Sequence, residues 1–338
     1  MSTQAKLDAD HRHMLRAVEL AAGVRTTTSP NPWVGCVIVT ARGEIVEGAT
    51  RPPPGPHAEV EALAAARRAG LDVAGATGYV TLEPCSHHGR TPPCADALAA
   101  ARVGRVVVGI VDPDPKVSGQ GVERLRAAGI DVLTGVGADV VADQLAPYVT
   151  HRTTGRPHVV LKLAASLDGR TAAPDGTSRW ITGEEARADA HRLRAESDAV
   201  LVGAGTVRAD DPALTVRHVE GRDPLRVVLG RAPAGAKVHP CLELDGDLEK
   251  VLDELGGRDV LQVLVEGGAT VAGAFHRAGL VDAYAIYLAP VLFGGDDAPG
   301  LFSGGGAATM NAVWRGRITR VTPLGDDLRV DLRPARST

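Results

Sequence analysis

Thr81-Leu82-Glu83-Pro84-Cys85-Ser86-His87-His88-Gly89-Arg90-Thr91-Pro92-Pro93-Cys94 is the stretch that decides the first half of the chain. It follows a short apolar run, residues 79–82, that reads as a strand. It ends where Pro93 suits the first position of a helix, which puts Cys94 in that helix's opening turn. The two cysteines flank a Pro-, Gly- and His-rich loop that can fold back and bring both sulfurs to one point. Upstream, His57-Ala58-Glu59 precedes a helical stretch, residues 58–69, with Val60, Leu63 and Ala64 on one face. One imidazole and two thiolates are the three protein ligands of a catalytic zinc, with a fourth position left for water. The partial positive charge of both helix N-termini favours thiolate. Glu59 lies near that metal without having to ligate it, and can take a proton from water and deliver it to a leaving group. Singly, His57 reads as an ordinary histidine and each cysteine as a free or structural thiol. A structural zinc needs a fourth ligand, and the candidate, Cys36, stands in the apolar run 34–39 as a small hydrophobe.

Working outward, short apolar strands alternate with helical stretches throughout, the pattern of an α/β protein. The first half reads as helix 10–22, strands 34–40 and 44–48, the helix and strand already named, helix 93–101, strand 106–110 and a small unit over 122–133. The polar stretch 148–157 reads as the boundary, dividing the chain into 1–149 and 150–338. The second half reads as strand 158–163, helix 184–195, strands 199–203 and 225–229, helix 248–255, strand 261–266, helix 269–278 and strand 284–289. No repeat at a fixed period is present. The 338 residues are 44% hydrophobic, enough for two cores. A net charge of -4 gives no basic balance for nucleic acid. No run of 18 apolar residues spans a membrane, residues 1–10 lack an apolar signal segment, and four cysteines are no disulfide framework. The expectation is a cytoplasmic protein acting on a small molecule, without membrane or nucleic-acid partners.

His-Ala-Glu, then Pro-Cys and a later Cys, resembles the cytidine deaminase superfamily. Eight residues rather than two separate Cys85 from Cys94, and in that form the fourteen-residue stretch looks like the deaminase of riboflavin biosynthesis. Asn31-Pro32 and Asp112-Pro113-Asp114-Pro115 fit the same branch. The resemblance covers about residues 10–145 and implies a cytidine-deaminase-like α/β/α domain. It also implies that Asn31 and Arg90 hold the pyrimidine and the phosphate of the substrate. Thr50 and Asp114 stand where the family often has His and Asn.

The second half offers Lys162-Leu163-Ala164-Ala165-Ser166-Leu167-Asp168-Gly169-Arg170, Trp180-Ile181-Thr182, residues 210–217, and Val265-Glu266-Gly267-Gly268-Ala269-Thr270. The last ends a strand and opens a helix, where glycines let a phosphate approach backbone N–H groups. Gly203-Ala204-Gly205 lacks the third glycine of a dinucleotide fingerprint, so an ordinary Rossmann domain is not supported. Together these motifs resemble the reductase half of the riboflavin enzyme over about residues 155–335. That implies a dihydrofolate-reductase-like α/β domain that uses NADPH. Lys162, Ala164, Trp180, Thr206, Asp210, Gly268, Ala269 and Thr270 would then contact the cofactor. Ser178, Arg194, Leu214, Arg217 and Glu266 would contact the substrate, Arg194 and Arg217 at its phosphate. Between the strand at 225 and the helix at 248, where the family has a further strand, residues 231–247 show no clear apolar run. A missing or degraded strand is expected there.

The leading reading is a zinc- and NADPH-dependent enzyme, expected to be a homo-oligomer, that deaminates and then reduces a pyrimidine ribosyl phosphate. The alternative is a deaminase joined to an impaired reductase-like domain. A non-enzymatic pyrimidine binder has no need of a general base, and a nucleic-acid deaminase lacks its basic face with interleaved aromatics.

Overall fold

A computed structural model describes residues 3–86, 92–115 and 117–335. The chain divides into Met1–Gly155 and Arg156–Thr338. The first unit runs α1 (Thr3–Ala22), α2 (Arg25–Thr28), β1 (Gly35–Val39), β2 (Ile45–Ala49), α3 (Ala58–Arg68), β3 (Thr77–Leu82), α4 (Cys94–Ala100), β4 (Arg105–Ile110), α5 (Gln120–Ala127), β5 (Asp131–Thr134), α6 (Ala138–Gln144) and α7 (Ala146–Thr154). Its sheet has the order β2-β1-β3-β4-β5. β1 is antiparallel to both neighbours, and β3, β4 and β5 are parallel.

Two glycines define the layers. Gly48 pairs with Cys36 across β1 and β2, so the two share a face. A Cβ on Gly48 would stand 2.4 Å from the Ala62 nitrogen of α3. Gly35, one residue before Cys36, faces the other way, and its Cβ would stand 1.9 Å from the Ala17 carbonyl oxygen of α1. Glycine at both places lets one helix lie directly on each face, giving the expected α/β/α sandwich. Such contact through small residues suits a chain with only 3% aromatics.

The polar stretch read as a boundary is mostly helix. α7 continues to Thr154, so a cut at 149/150 falls inside it, and the first unit ends with the left-handed Gly155 that caps it. The polar residues there form the helix's outer face. Thr153 and Thr154 are exposed and their hydroxyls donate to carbonyls one turn back, while Tyr148 and His151 are buried.

The second unit runs β6 (His158–Ser166), α8 (Glu184–Ala195), β7 (Ala199–Gly203), α9 (Ala204–Asp210), β8 (Leu225–Leu229), β9 (Leu242–Leu244), α10 (Leu248–Gly256), β10 (Gln262–Val265), α11 (Ala269–Arg277), β11 (Ala283–Ala289), β12 (Gly316–Leu324) and β13 (Asp327–Pro334). Its eight strands have the order β12-β13-β11-β6-β10-β7-β8-β9. The six from β11 to β9 are parallel, and β13 runs antiparallel between β11 and β12. Val159 and Leu161 enter the core on one face and Val160 the core on the other. Burial on both faces is why these strands read as unbroken apolar runs.

Residues 231–247 do contain the further strand, in short form. β9 is three half-buried residues paired with β8 alone, at the edge of the sheet. An edge strand of that length needs no apolar run. Sequence reading missed the β12–β13 hairpin, although Leu328, Val330 and Leu332 alternate with Arg329, Asp331 and Arg333, the period-2 pattern of a strand with one apolar face.

Candidate active sites

His57 caps the N-terminus of α3, and Glu59 lies in that helix's first turn, 3% exposed. Cys94 opens α4, fully buried, and its backbone N–H donates to Cys85 Sγ at 3.3 Å. His57 Nδ1 lies 3.6 Å from Cys85 Sγ and 3.4 Å from Cys94 Sγ. A tetrahedral zinc with ordinary Zn–N and Zn–S bonds needs an N-to-S edge of about 3.6 Å. The spacing and chemistry of the three donors therefore fit zinc. Cys36 is buried in β1 and stands outside this donor cluster, as expected of a small hydrophobe.

The electrostatics of the cluster favour a bound cation. Hydrogen bonds from Cys94 and His57 pull the Cys85 thiol down to about 4, and the Cys94 thiol is pushed up beside it. Burial, reinforced by the charge of Cys85, lifts the Glu59 carboxyl to about 7. A cation that neutralises the sulfurs removes that second cause and lowers Glu59 again. That shift is toward the carboxylate, the form a base requires, while burial continues to oppose it.

Glu83 is a further residue of the Thr81–Cys94 stretch with a structural role. It sits where β3 ends and accepts four backbone N–H bonds, from Asp112, Gly119, Gly121 and Val122, at 3.0, 3.0, 2.7 and 3.0 Å. It therefore ties the Pro84–Cys85 turn to the end of β4 and the start of α5. Glu83→Ala should cost about 4 kcal/mol or more, counting about 1 kcal/mol for each orphaned donor. Chemical denaturation checks this, and near-parental stability would show that the carboxylate is dispensable.

A cavity of about 280 Å³ reaches this centre, lined among others by Asn31, Thr50, His57, Glu59, Cys85 and Asp114. Arg90, His87 and His88 lie outside the described residues. Thr50 is buried, and its hydroxyl accepts from the Val34 nitrogen at 3.2 Å. Sequence reading missed Arg152, which enters the cavity from α7. Its guanidinium lies 5.2 Å from the Tyr148 ring centre, and its buried Nε has no hydrogen-bond partner among the described residues. Tyr148 in turn donates to Asp112. The spacing of Tyr148 and Arg152 by one helical turn was the available signal, hidden because the stretch read as a linker.

In the second unit a cavity of about 760 Å³ opens at the carboxyl ends of the parallel strands β6, β10, β7 and β8, where open α/β sheets place their ligands. It gathers Lys162, Ala164, Ser178, Thr206, Asp210, Glu266, Gly268, Ala269 and Thr270 of the expected residues. It also takes in Gly203 and Gly205, so a second strand-to-helix turn, β7 into α9, shares the rim although it is no full fingerprint. An added Cβ on Gly205 would meet nothing within 4 Å, and one on Gly268 only Thr206 Oγ1, at 3.5 Å. Gly267 differs, since its Cβ would stand 2.5 Å from Val271 Cβ. Gly267 serves helix packing, whereas a Cβ at Gly268 would face open space, and the Gly268 N–H donates to Thr206 Oγ1 at 3.1 Å.

Four expected residues fall outside that lining. Trp180 is 70% exposed and lines a neighbouring groove with Ile181, Leu292 and Phe293, joined to the cavity through Ser178. Leu214 is 2% exposed in the core, with φ +52°, so its side chain cannot touch substrate and only its backbone could. Arg194 is a correction. Its Nε and Nη2 donate to Glu266 at 2.6 and 2.9 Å and its Nη1 to the Thr215 carbonyl, so its fork is occupied and it positions Glu266 instead of standing open for phosphate. Arg217 is exposed, with one guanidinium bond, to Thr215 Oγ1. Lys162 stands mid-strand, since β6 runs on to Ser166. Burial lowers its pKa, as does Arg194, against the pull of Glu266. Burial would raise the Glu266 carboxyl, but the charge of Arg194 and its two hydrogen bonds outweigh that and hold it below the usual range.

Fold and sites together define a two-part enzyme in which a deaminase of the cytidine-deaminase class precedes a reductase. Residues 7–110 match the cytidine and deoxycytidylate deaminase zinc-binding region, and residues 157–330 match the RibD C-terminal domain. The riboflavin biosynthesis protein RibD of Escherichia coli (strain K12) is 41% identical, covering 96% of this chain and 99% of its own. That of Mycobacterium tuberculosis (strain ATCC 25618 / H37Rv) is 45% identical over 94% and 95%. The solved structure of Acinetobacter baumannii RibD (form 1) has 40% identity and a TM-score of 0.90 over 98% and 100%. The Thermotoga maritima diaminohydroxyphosphoribosylaminopyrimidine deaminase/5-amino-6-(5-phosphoribosylamino)uracil reductase has 36% identity and a TM-score of 0.90 over the same shares. The chain belongs to the RibD family of riboflavin biosynthesis and carries its deaminase and reductase parts. Matches that run the full length disfavour the alternative of an impaired second half.

Proposed function

We propose that the first unit is a zinc enzyme that deaminates 2,5-diamino-6-ribosylamino-4(3H)-pyrimidinone 5′-phosphate, and that the second reduces the ribosyl chain of the product to ribityl with NADPH. The observation that carries this is the His57/Cys85/Cys94 cluster at tetrahedral spacing with the buried Glu59 beside it. A zinc ion held there supplies activation of water for attack on an electron-poor ring carbon. Glu59 takes the proton of the attacking water on its carboxylate and returns it to the departing ammonia. Asn31 suits the pyrimidine edge. Arg152, a cation in a cavity otherwise lined by acids and neutral groups, suits the phosphate, as Arg90 does by family resemblance.

NADPH supplies the hydride of the second step. The first-turn N–H groups of α11 at Ala269 and Thr270, which have no partner within the helix, suit its phosphates, while the Gly268 N–H donates to Thr206 Oγ1 on the same rim and Asp210 lines the same cavity. Lys162 and Glu266, the latter held by Arg194, orient the sugar. Exposed apolar side chains at Ile318, Val321 and Leu328 on the β12–β13 hairpin support a homo-oligomer. No helix among the described residues is long and apolar enough to cross a membrane, in keeping with a cytoplasmic site of action.

The test is an assay of the purified protein with the diamino substrate, with and without NADPH. Ammonia release should not need NADPH, and NADPH oxidation should follow only after deamination has supplied its substrate. Oxidation with no ammonia released, or none after complete deamination, overturns the two-step reading.

A further inference from the structure

β9 is paired on one side only, at the edge of the sheet, with Val238 buried just before it and Leu242 and Leu244 half-buried against the core. What gathers there is a second set of metal-capable donors. The ligand atoms of His239, Cys241 and Glu243 all lie within 4.8 Å of one another. Cys241 Sγ stands 3.5 Å from His239 Nδ1. That lies between the two N-to-S distances of the His57 cluster, and it is close to the edge of about 3.6 Å that tetrahedral zinc requires.

An independent observation points the same way. His239 Nε2 lies 3.1 Å from the Pro233 carbonyl oxygen. A carbonyl only accepts, so Nε2 carries the proton and Nδ1 keeps its lone pair, turned toward the sulfur. A backbone carbonyl on the second ring nitrogen is the usual way a metal-binding imidazole is held. Glu243 accepts from Arg231 Nη1 and from the Ala232 nitrogen, each at 2.9 Å, and each of its oxygens retains a further lone pair. His239 is exposed and the other two are half-buried, so water can reach a fourth position.

We propose that His239, Cys241 and Glu243 form a second zinc-type site, open to one water, that locks the edge of the eight-stranded sheet. One nitrogen, one sulfur and one oxygen donor suit zinc and disfavour magnesium or calcium, which take oxygen alone. Binding would release the Cys241 thiol proton to solvent. Because Ala232 and Pro233 are bonded to two of the ligands, the ion would fasten residues 231–233 to 239–243, adding to the packing of the buried Val238 and the half-buried Ala232, Leu242 and Leu244. The site is independent of both catalytic readings and lies outside their residues.

The experiment uses the full chain, loaded with Zn²⁺, desalted and analysed for metal. Two zinc per chain are expected, falling to one in Cys241→Ser with the deamination rate unchanged. Alkylation mapped by mass spectrometry should find Cys241 protected by Zn²⁺ in the parent and unprotected in His239→Gln. One zinc per chain in the parent overturns the proposal. So does a Cys241 that alkylates equally fast with and without Zn²⁺, even if two zinc are counted.

Discussion

Glu59→Gln is expected to keep its fold and its zinc and to lose deamination by at least ~10²–10⁴-fold, the range of a positioned acid–base group. The substitution is isosteric at a side chain only 3% exposed, so packing is unchanged. It removes the one buried carboxylate in the first turn of α3, next to the cap residue that would hold the metal. An amide cannot accept the proton of an attacking water and return it. Metal content measured beside the ammonia-release rate separates loss of the base from loss of the ion. A variant that retains zinc and deaminates at the parental rate would falsify the role assigned to Glu59.

Gly268→Val should weaken cofactor binding by about 10²-fold or more while leaving deamination intact. The backbone at Gly268, φ -64° and ψ 176°, is one that valine adopts freely. Its Cβ would meet only Thr206 Oγ1, at an ordinary contact distance, so the fold tolerates the change. The branched methyls would instead project toward the mouth of α11, where the phosphate must come close to backbone N–H groups. Two charge-assisted hydrogen bonds at about 1.5 kcal/mol each make the NADPH Kd about 10²-fold weaker or worse. Titration of the full chain with NADPH reads the effect. Gly267→Val is the contrast, since its Cβ collides with Val271 and should lower stability as well. An unchanged Kd for Gly268→Val removes the phosphate from this turn.

Much of the site could be read from the residues because its chemistry is concentrated in contiguous motifs. His57-Ala58-Glu59 and the Cys85–Cys94 loop each carry donors at a spacing that only a few reactions use. The helix starts beside them are marked by local signals, such as Pro93 ahead of Cys94. The short edge strand β9 is too short to carry an apolar pattern of its own and is specified by its partner across the sheet, whereas the β12–β13 hairpin carried an alternating apolar signal, Leu328, Val330 and Leu332, that sequence reading missed.

The sequence by itself determined the α/β alternation, the buried parallel strands and the donor set of the first site, since apolar periodicity and ligand type are local properties. Only the tertiary structure decided where the long side chains go. Arg194 was expected at a phosphate and is held by Glu266, which lies 72 positions away in the chain. Arg152 looked like part of a linker and enters the deaminase cavity. Glu83 gathers four N–H groups from two separate segments. A guanidinium or carboxylate pairs with whatever opposite charge or free donor the fold brings within about 3 Å, and that proximity is a property of the packed chain, which no local pattern records.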